Sequence, residues 1–120
     1  MAQSTPIHLD PMTPVSYLER SVRVFPEKTA VVYEDLRWTY AEFAEQVGRL
    51  AGALQRAGIQ PGDRVAFLTP NVPEMLVAHF AVLRIHAVLV AINTRLNAEE
   101  VGYILNHSGA KIVFADPELA

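Results

Sequence analysis

The sequence predicts an α/β protein that contains the N-terminal part of a doubly wound, mostly parallel sheet, preceded by a helix and a β-hairpin. From residue 64 onward, segments with strand and helix patterns alternate along the chain. Such alternation is typical of parallel strands joined by right-handed helical crossovers. Within it, segment 87–92 is an uninterrupted apolar and largely β-branched run, which is typical of a strand covered on both faces.

The residues before this alternation predict a helix followed by a hairpin. Segment 13–25 begins with a Thr-Pro pair, typical of an N-cap and a first helical turn, and carries apolar residues at three- and four-residue spacing. Pro26 then stops the helix. The β-rich runs 29–33 and 36–38, joined by a Glu-Asp turn, predict the two strands of the hairpin.

A second and longer helix has the strongest sequence signal in the chain. Thr39 and Glu42 have the spacing of a capping box, in which each side chain bonds the backbone amide of the other residue. Apolar residues then repeat at helical spacing for four turns, as far as Leu54. Gly58 suits the left-handed conformation that ends a helix.

The alternating half opens with a strand over residues 64–69. Asn71 is the predicted cap of the following helix, with Glu74 in the capping-box position. Residues 75–85 are apolar on nearly every side, so this helix is expected to lie buried between layers.

After the apolar strand, the pattern predicts one more helix and one more strand. Asn97 and Glu100 repeat the capping-box spacing, and the helix is expected to end near Ser108 and Gly109. Residues 111–115 predict a further buried strand.

Composition excludes several functional classes. The chain has 120 residues, of which 51% are hydrophobic and 19% charged, so it is one domain or part of one, and it suits a piece that packs against more protein. The formal charge of −3 and the scattered cations give no basic patch for nucleic acid. The absence of cysteine excludes disulfides, thiolate metal sites and a cysteine nucleophile.

The N-terminal residues predict no targeting or membrane-spanning segment. Residues 1–14 are polar, without a basic-then-apolar signal pattern, and are expected to form a flexible lead-in. No apolar run is long enough to span a membrane. We therefore expect a cytoplasmic protein in which residues 15–120 form an incomplete domain.

Few residues carry a chemical signature. Neither G-x-G-x-x-G nor G-x-x-x-x-G-K-[ST] occurs. The turn at 69–73 could present amides to an anion, but its two prolines remove donors. Arg95 is the stronger candidate, because it follows the carboxyl end of the apolar strand, where open α/β sheets place ligand-binding loops. A guanidinium there can pair with a phosphate, although a surface arginine that supports the loop is the simpler interpretation.

Metal and acid–base sites are not indicated. No histidine pair has HExxH-type spacing with a carboxylate in position to help, and His107 is better explained as a cation at a helix end. Glu42, Glu74 and Glu100 are explained as caps, and no carboxylate pair flanks a substrate. We therefore predict no catalytic residue and no metal ligand in this chain.

Four motifs in a fixed order carry a resemblance to a known family. They are Thr-Tyr-Ala-Glu at 39–42, Pro-Gly-Asp-Arg at 61–64, Pro-Asn-Val-Pro-Glu at 70–74 and Ile-Asn-Thr-Arg-Leu at 92–96. The set resembles the start of the AMP-forming acyl-CoA synthetases, the adenylate-forming ligases. The last motif, together with His79 and Phe80, most resembles the acyl-CoA branch.

The resemblance implies a function that these residues alone would not perform. The intact enzyme would join a carboxylate, most simply a fatty acid, to ATP with Mg²⁺, and would then transfer the acyl group from the adenylate to CoA. The family's phosphate loop, a later acidic motif and its C-terminal lysine have no counterpart in this sequence. The remainder of the same polypeptide is expected to pack on this segment, and the 120 residues alone are expected to be inactive. Arg95 matches a family position that lies close to the phosphates of CoA in some members.

Two residues depart from the family pattern. His86 stands where glycine is usual, and Ala91 stands where proline is frequent. At His86, either the local backbone differs or the added side chain compromises packing beside the strand.

Two other functional classes remain open from the sequence. A non-enzymatic α/β remnant or interaction module would keep these elements, and so would the start of an amino-acid adenylation domain. The identity and chain length of the acid, the pathway and the oligomeric state are not encoded in these motifs.

Overall fold

The computed structural model describes residues 11–120, so residues 1–10, which make up most of the expected lead-in, lie outside the described residues. The described part runs helix, hairpin, helix, and then alternates strand and helix. The elements are α1 (Pro14–Val24), β1 (Thr29–Tyr33), β2 (Leu36–Thr39), α2 (Tyr40–Arg56), β3 (Arg64–Leu68), α3 (Pro73–Arg84), β4 (Val88–Ala91), α4 (Ala98–Ser108) and β5 (Ile112–Ala115).

The first helix begins where the Thr-Pro pair predicts. The Ser16 amide donates to Thr13 Oγ1 at 3.1 Å, and the Thr13 amide donates to Ser16 Oγ at 2.9 Å. Pro14 occupies the first helical turn, where a missing amide hydrogen costs nothing. Leu18 is the buried residue of this helix and anchors it to the core.

The long helix α2 confirms its predicted start, face and end. The Glu42 amide donates to Thr39 Oγ1 at 3.1 Å, and the Thr39 amide donates to Glu42 Oε1 at 3.0 Å. Its apolar stripe is buried, and Gly58 follows the helix with a φ of +94°. The buried residues of the stripe are Phe43, Val47, Ala51 and Leu54.

The hairpin is also confirmed. β1 and β2 pair antiparallel, with Tyr33 opposite Leu36. Glu34, the first residue of the turn, has a φ of +52°, in the left-handed region that tight hairpin turns use.

The parallel sheet has the order β4-β3-β5, with β3 at its centre. Both pairings are parallel, so Ala66 lies opposite Val90 on one side and Val113 on the other. Successive side chains of β3 point to opposite faces. Val65 and Phe67 pack in the cluster formed with α2 and α3, whereas Ala66 and Leu68 pack in the cluster beneath α4. Helices therefore cover both faces of the sheet, which confirms the doubly wound arrangement.

The structure corrects the predicted cap of α3. The cap is Val72 rather than Asn71, and no side chain bonds the first amides of this helix. Pro73 takes the first helical turn and fixes the start of the helix one residue later than expected. The Val72 amide donates to the Pro70 carbonyl at 2.9 Å, so a tight turn replaces a side-chain cap.

The structure also corrects the burial of two strands. The apolar run 87–92 predicts a strand covered on both faces, but β4 is an edge strand within the described residues, and Val88 is 47% exposed. β5 is the opposite edge, and Val113 is 43% exposed. The strand with the buried pattern is β3, because it alone has a neighbour on each side within residues 11–120.

The departure at His86 is explained by the backbone. His86 has a φ of +61°, in the left-handed region that glycine adopts without steric cost. Its side chain is exposed, so the packing beside the strand is not compromised. The turn is closed by hydrogen bonds from the His86 amide to the Leu83 carbonyl at 3.0 Å and from the Gly62 amide to the His86 carbonyl at 2.8 Å.

Candidate functional site

The carboxyl ends of the three parallel strands meet at one edge of the sheet, and the loops that follow them form the candidate site. Such an edge is where open α/β sheets bind ligands. The loop after β4 is tied to β3 by a hydrogen bond from the Ile92 amide to the Phe67 carbonyl at 3.0 Å. The residue after β5 is tied in the same way, from the Asp116 amide to the Leu68 carbonyl at 3.0 Å. The starts of both loops are therefore fixed relative to the central strand.

Arg95 lies in the turn between β4 and α4, and its side chain is exposed. The Arg95 amide donates to Asn93 Oδ1 at 3.0 Å, and the Leu96 amide donates to the Asn93 carbonyl at 3.3 Å. Asn93 therefore shapes the turn, because both its side chain and its carbonyl accept hydrogen bonds from the amides of the turn. The ion pairs within residues 11–120 are Arg49–Glu45 and Lys111–Asp63, so no acid there neutralises Arg95.

The helix after this turn is capped as the sequence predicts. The Glu100 amide donates to Asn97 Oδ1 at 2.9 Å, and the Asn97 amide donates to Glu100 Oε2 at 3.0 Å. Gly109 ends the helix with a φ of +66°. Because Glu99 and Glu100 lie in the first turn of α4, its amides already face negative charge, and Arg95 is the anion-binding candidate of this loop.

The loop after β3 contains a group that the sequence does not reveal. Thr69 Oγ1 is buried and has no hydrogen-bond partner among the described residues. A buried hydroxyl without a partner is unusual and destabilising, and it lies here beside the candidate site. The motif Thr-Pro-Asn gives no indication of it, because burial of one oxygen atom depends on how the loop packs.

An apolar groove of about 540 Å³ runs between the hairpin and α3. His79 lines it together with Phe80 and Asn71. His79 Nδ1 lies 2.7 Å from the Met75 carbonyl, which can only accept a hydrogen bond, so Nδ1 carries the proton in this contact. The groove offers apolar contact with few polar groups.

The histidines do not converge. His79 lines the groove on α3, His86 lies in the turn that follows this helix, and His107 stacks on Tyr103 in the last turn of α4 with ring centroids 5.5 Å apart. His8 lies outside the described residues. Across residues 11–120, no group of three His, Cys, Asp or Glu side chains is placed to hold a metal ion.

A buried charged group lies at the amino ends of the parallel strands, opposite the candidate site. Asp63 is buried at the start of β3, where the Gln60 amide donates to Oδ2 at 2.8 Å and Lys111 Nζ lies 3.1 Å from Oδ1. The Gln60 hydrogen bond, followed by that of Lys111, lowers the pKa of the Asp63 carboxyl below its ordinary value. The pattern Pro-Gly-Asp identifies a turn, but not this link between the turn and β5.

Arg64 adds a second contact at the amino ends of the strands. Its Nε donates to the Ser108 carbonyl at 2.6 Å, so the guanidinium binds the end of α4. A Cβ atom at Gly109 would lie 2.7 Å from Arg64 Nη2 and would displace this side chain, and the positive φ of Gly109 independently favours glycine. Together, the contacts of Asp63 and Arg64 hold the start of β3 against the end of α4 and the start of β5, which is a structural role.

The fold and its carboxyl-edge loops define a class, namely an α/β domain that presents ligand-binding loops at the ends of parallel strands. The chain belongs to the AMP-binding enzyme family, which it matches over residues 18–120. The prediction from the ordered motifs is thereby confirmed. No helix within residues 11–120 is long and apolar enough to cross a bilayer.

Curated relatives are CoA ligases. The chain is 45% identical to a 4-hydroxybutyrate–CoA ligase of Metallosphaera sedula over 105 residues, which cover 88% of this chain and 19% of the relative. It is 40% identical to a peroxisomal butyrate–CoA ligase of Arabidopsis thaliana over 110 residues, which cover 92% of this chain and 19% of that relative. The chain therefore spans about a fifth of the length of these relatives.

Solved structures support the same assignment. A fatty acyl-CoA synthetase of Mycobacterium tuberculosis superimposes with a TM-score of 0.83 at 40% identity, over 86% of this chain and 21% of that one. The N-terminal subdomain of NpsA from Klebsiella oxytoca, in complex with anthranilyl-AMSN, superimposes with a TM-score of 0.79 at 29% identity, over 85% and 27%. The chain thus corresponds to the N-terminal part of adenylate-forming enzymes.

Proposed function

We propose that this chain serves as the N-terminal segment of an ATP-dependent carboxylate–CoA ligase that works through an acyl-adenylate, with a fatty acid as the expected substrate class. A carboxylate oxygen attacks the α-phosphorus of ATP and displaces pyrophosphate. The CoA thiol then loses its proton, attacks the acyl carbonyl and displaces AMP. The observation that carries the proposal is the 45% identity to a CoA ligase across 88% of the chain.

Within that enzyme, the segment supplies a scaffold and one contact. Arg95 pairs with a phosphate of CoA. Its exposure, its fixed turn and the lack of an ion-pair partner within residues 11–120 support this role. A planar guanidinium can bind two phosphate oxygens at once, which suits it to this contact.

ATP and Mg²⁺ would be held mainly by other parts of the enzyme. Mg²⁺ prefers carboxylate and phosphate oxygens in octahedral geometry. Residues 11–120 offer no cluster of acids for it, so the fit to this segment is poor and the ion's protein ligands are expected elsewhere in the polypeptide.

An amino-acid adenylation domain is the second candidate. The similarity to NpsA, which also occurs in an artificially fused adenylation–carrier didomain of Klebsiella oxytoca, favours it. The ligase function has the stronger support, because identity falls from 45% with the 4-hydroxybutyrate ligase to 29% with NpsA. We place the protein in the cytoplasm, although the butyrate ligase of Arabidopsis thaliana is peroxisomal.

The test is a replacement experiment. The matching segment of the Metallosphaera sedula ligase is exchanged for this chain, and carboxylate-dependent ATP–pyrophosphate exchange and thioester formation are measured. We expect the chimera to catalyse both reactions and the 120-residue chain alone to catalyse neither. A folded chimera without exchange activity, or measurable exchange by the chain alone, would contradict the proposal.

The chimera also tests Arg95. We expect Arg95→Ala to raise the apparent KM for CoA at least about tenfold, since a charge-assisted hydrogen bond is lost, and to leave exchange unchanged. Arg37→Ala is the matched control, because Arg37 is also an exposed arginine and lies on β2. An equal KM in both variants would show that Arg95 supports the loop only.

A further inference from the structure

A cleft of about 970 Å³ lies between α1 and the end of α3, at the amino end of β4. Its lining is cationic. Arg20 and Arg23 enter it from α1, and Arg84 and His86 enter it from the end of α3 and the turn that follows. Glu19 is the acid among the lining residues. This concentration is unexpected in a chain whose formal charge is −3.

The three arginines line one cleft although they are distant in sequence. Arg20 and Arg23 are three residues apart on one helix and so lie on the same face. Arg84 lies at the end of a different helix, and its Nη1 is 3.6 Å from the position that a Cβ would take at Gly48 on α2. This distance is an ordinary van der Waals contact, so the guanidinium of Arg84 also lies against α2.

The guanidinium groups have no acidic partners within residues 11–120. The ion pairs there are Arg49–Glu45 and Lys111–Asp63, and neither involves a residue of the cleft. The helix dipole explains a cation in a last turn, as at Arg23 and Arg84, but it does not explain Arg20 or the shared cleft. Like charges brought together repel each other unless an anion neutralises them.

We propose that this cleft is a second anion site, which binds a small molecule bearing a diphosphate or triphosphate group. Guanidinium groups from two helices suit the several oxygens of such an anion. The volume lies within the range of small-ligand pockets, and a concave cleft between two helices fits a small polyanion better than the flat surface of a membrane.

The site is separate from the turn that carries Arg95. The cleft includes His86 and Ala87, which precede β4, whereas Arg95 follows the same strand. The four residues Val88–Ala91 alone extend about 13 Å, so one phosphate group cannot contact both places. The proposal therefore stands whether or not Arg95 binds CoA.

The experiment titrates the whole chain with inorganic pyrophosphate and with ATP by isothermal titration calorimetry at low salt. Arg20→Gln and Arg84→Gln remove one cation from each wall, and Arg37→Gln removes one outside the cleft. We expect each cleft variant to bind at least about tenfold more weakly, and the control to bind as the parent does. Comparing the two ligands distinguishes free pyrophosphate from a nucleotide as the source of the anion.

Three results would overturn the proposal. One is the absence of binding to the parent chain. Another is equal weakening by Arg37→Gln, which would indicate a general charge effect. The third is binding to phosphatidylcholine vesicles containing phosphatidylserine that pyrophosphate does not displace, which would identify the face as a membrane surface. Circular dichroism of each variant establishes that it is folded, and the exposure of the three arginines makes folding defects unexpected.

Discussion

Replacement of His86 by glycine gives the sharpest test of the structure. His86 adopts a φ of +61° while its side chain remains exposed, so the imidazole gains no burial in return for the strained backbone. The left-handed conformation costs an L-residue about 1–2 kcal/mol, and glycine does not incur it. Glycine also makes the unfolded chain more flexible, which offsets about 0.4–1 kcal/mol of the gain. We therefore expect His86→Gly to raise the free energy of unfolding by about 1 kcal/mol.

The measurement is urea unfolding followed by circular dichroism, with thermal unfolding as a second assay. A gain of about 1 kcal/mol corresponds to a Tm increase of about 3–6 °C for a chain of this size. His86→Ala is the control, because alanine removes the imidazole and keeps the Cβ atom responsible for the strain. If alanine stabilised the chain as much as glycine does, the imidazole rather than the backbone would be the cause, and the reasoning would be wrong.

The remaining predictions concern two hydroxyls and a carboxylate. Thr69→Val should raise the free energy of unfolding by about 1 kcal/mol, because it removes a buried hydroxyl that has no partner within residues 11–120 while keeping the shape of the side chain. Thr39→Val should lower the free energy of unfolding by about 1 kcal/mol, because Thr39 Oγ1 caps α2. If urea titrations gave the two variants the same change in this free energy, both predictions would be contradicted. Asp63 has a lowered pKa in the folded chain, so its stabilisation is present at neutral pH and is lost as the pH falls through that pKa. Asp63→Asn should therefore destabilise the chain most at neutral pH and least in acid, as urea unfolding measured across this pH range would show.

Local chemistry explains which elements the sequence predicted correctly. The caps at Thr39 and Asn97 need only two residues at fixed spacing, so the sequence was sufficient to locate the start of each helix. The same type of signal gave a wrong prediction at Asn71. Its capping-box spacing is correct, but Pro73 shifts the helix start to Val72, and the two local signals conflict.

Tertiary structure explains what the sequence did not predict. The ion pair of Asp63 needs Lys111, which is distant in the chain, and the burial of the Thr69 hydroxyl oxygen depends on the packing of its loop. The cationic cleft also depends on tertiary structure, because Arg84 lies beside Arg20 and Arg23 only when α1 packs beside α3. Arg95 could be singled out from the sequence because position after a strand is a local property, whereas its proposed role in binding CoA has yet to be tested.

The apolar sequence of β4 and its exposure within residues 11–120 do not match. Its apolar sequence is typical of a strand covered on both faces, yet within residues 11–120 it pairs with β3 alone and Val88 is exposed. An apolar strand that its own segment leaves exposed is expected in a subdomain of a longer ligase, where further polypeptide would cover it.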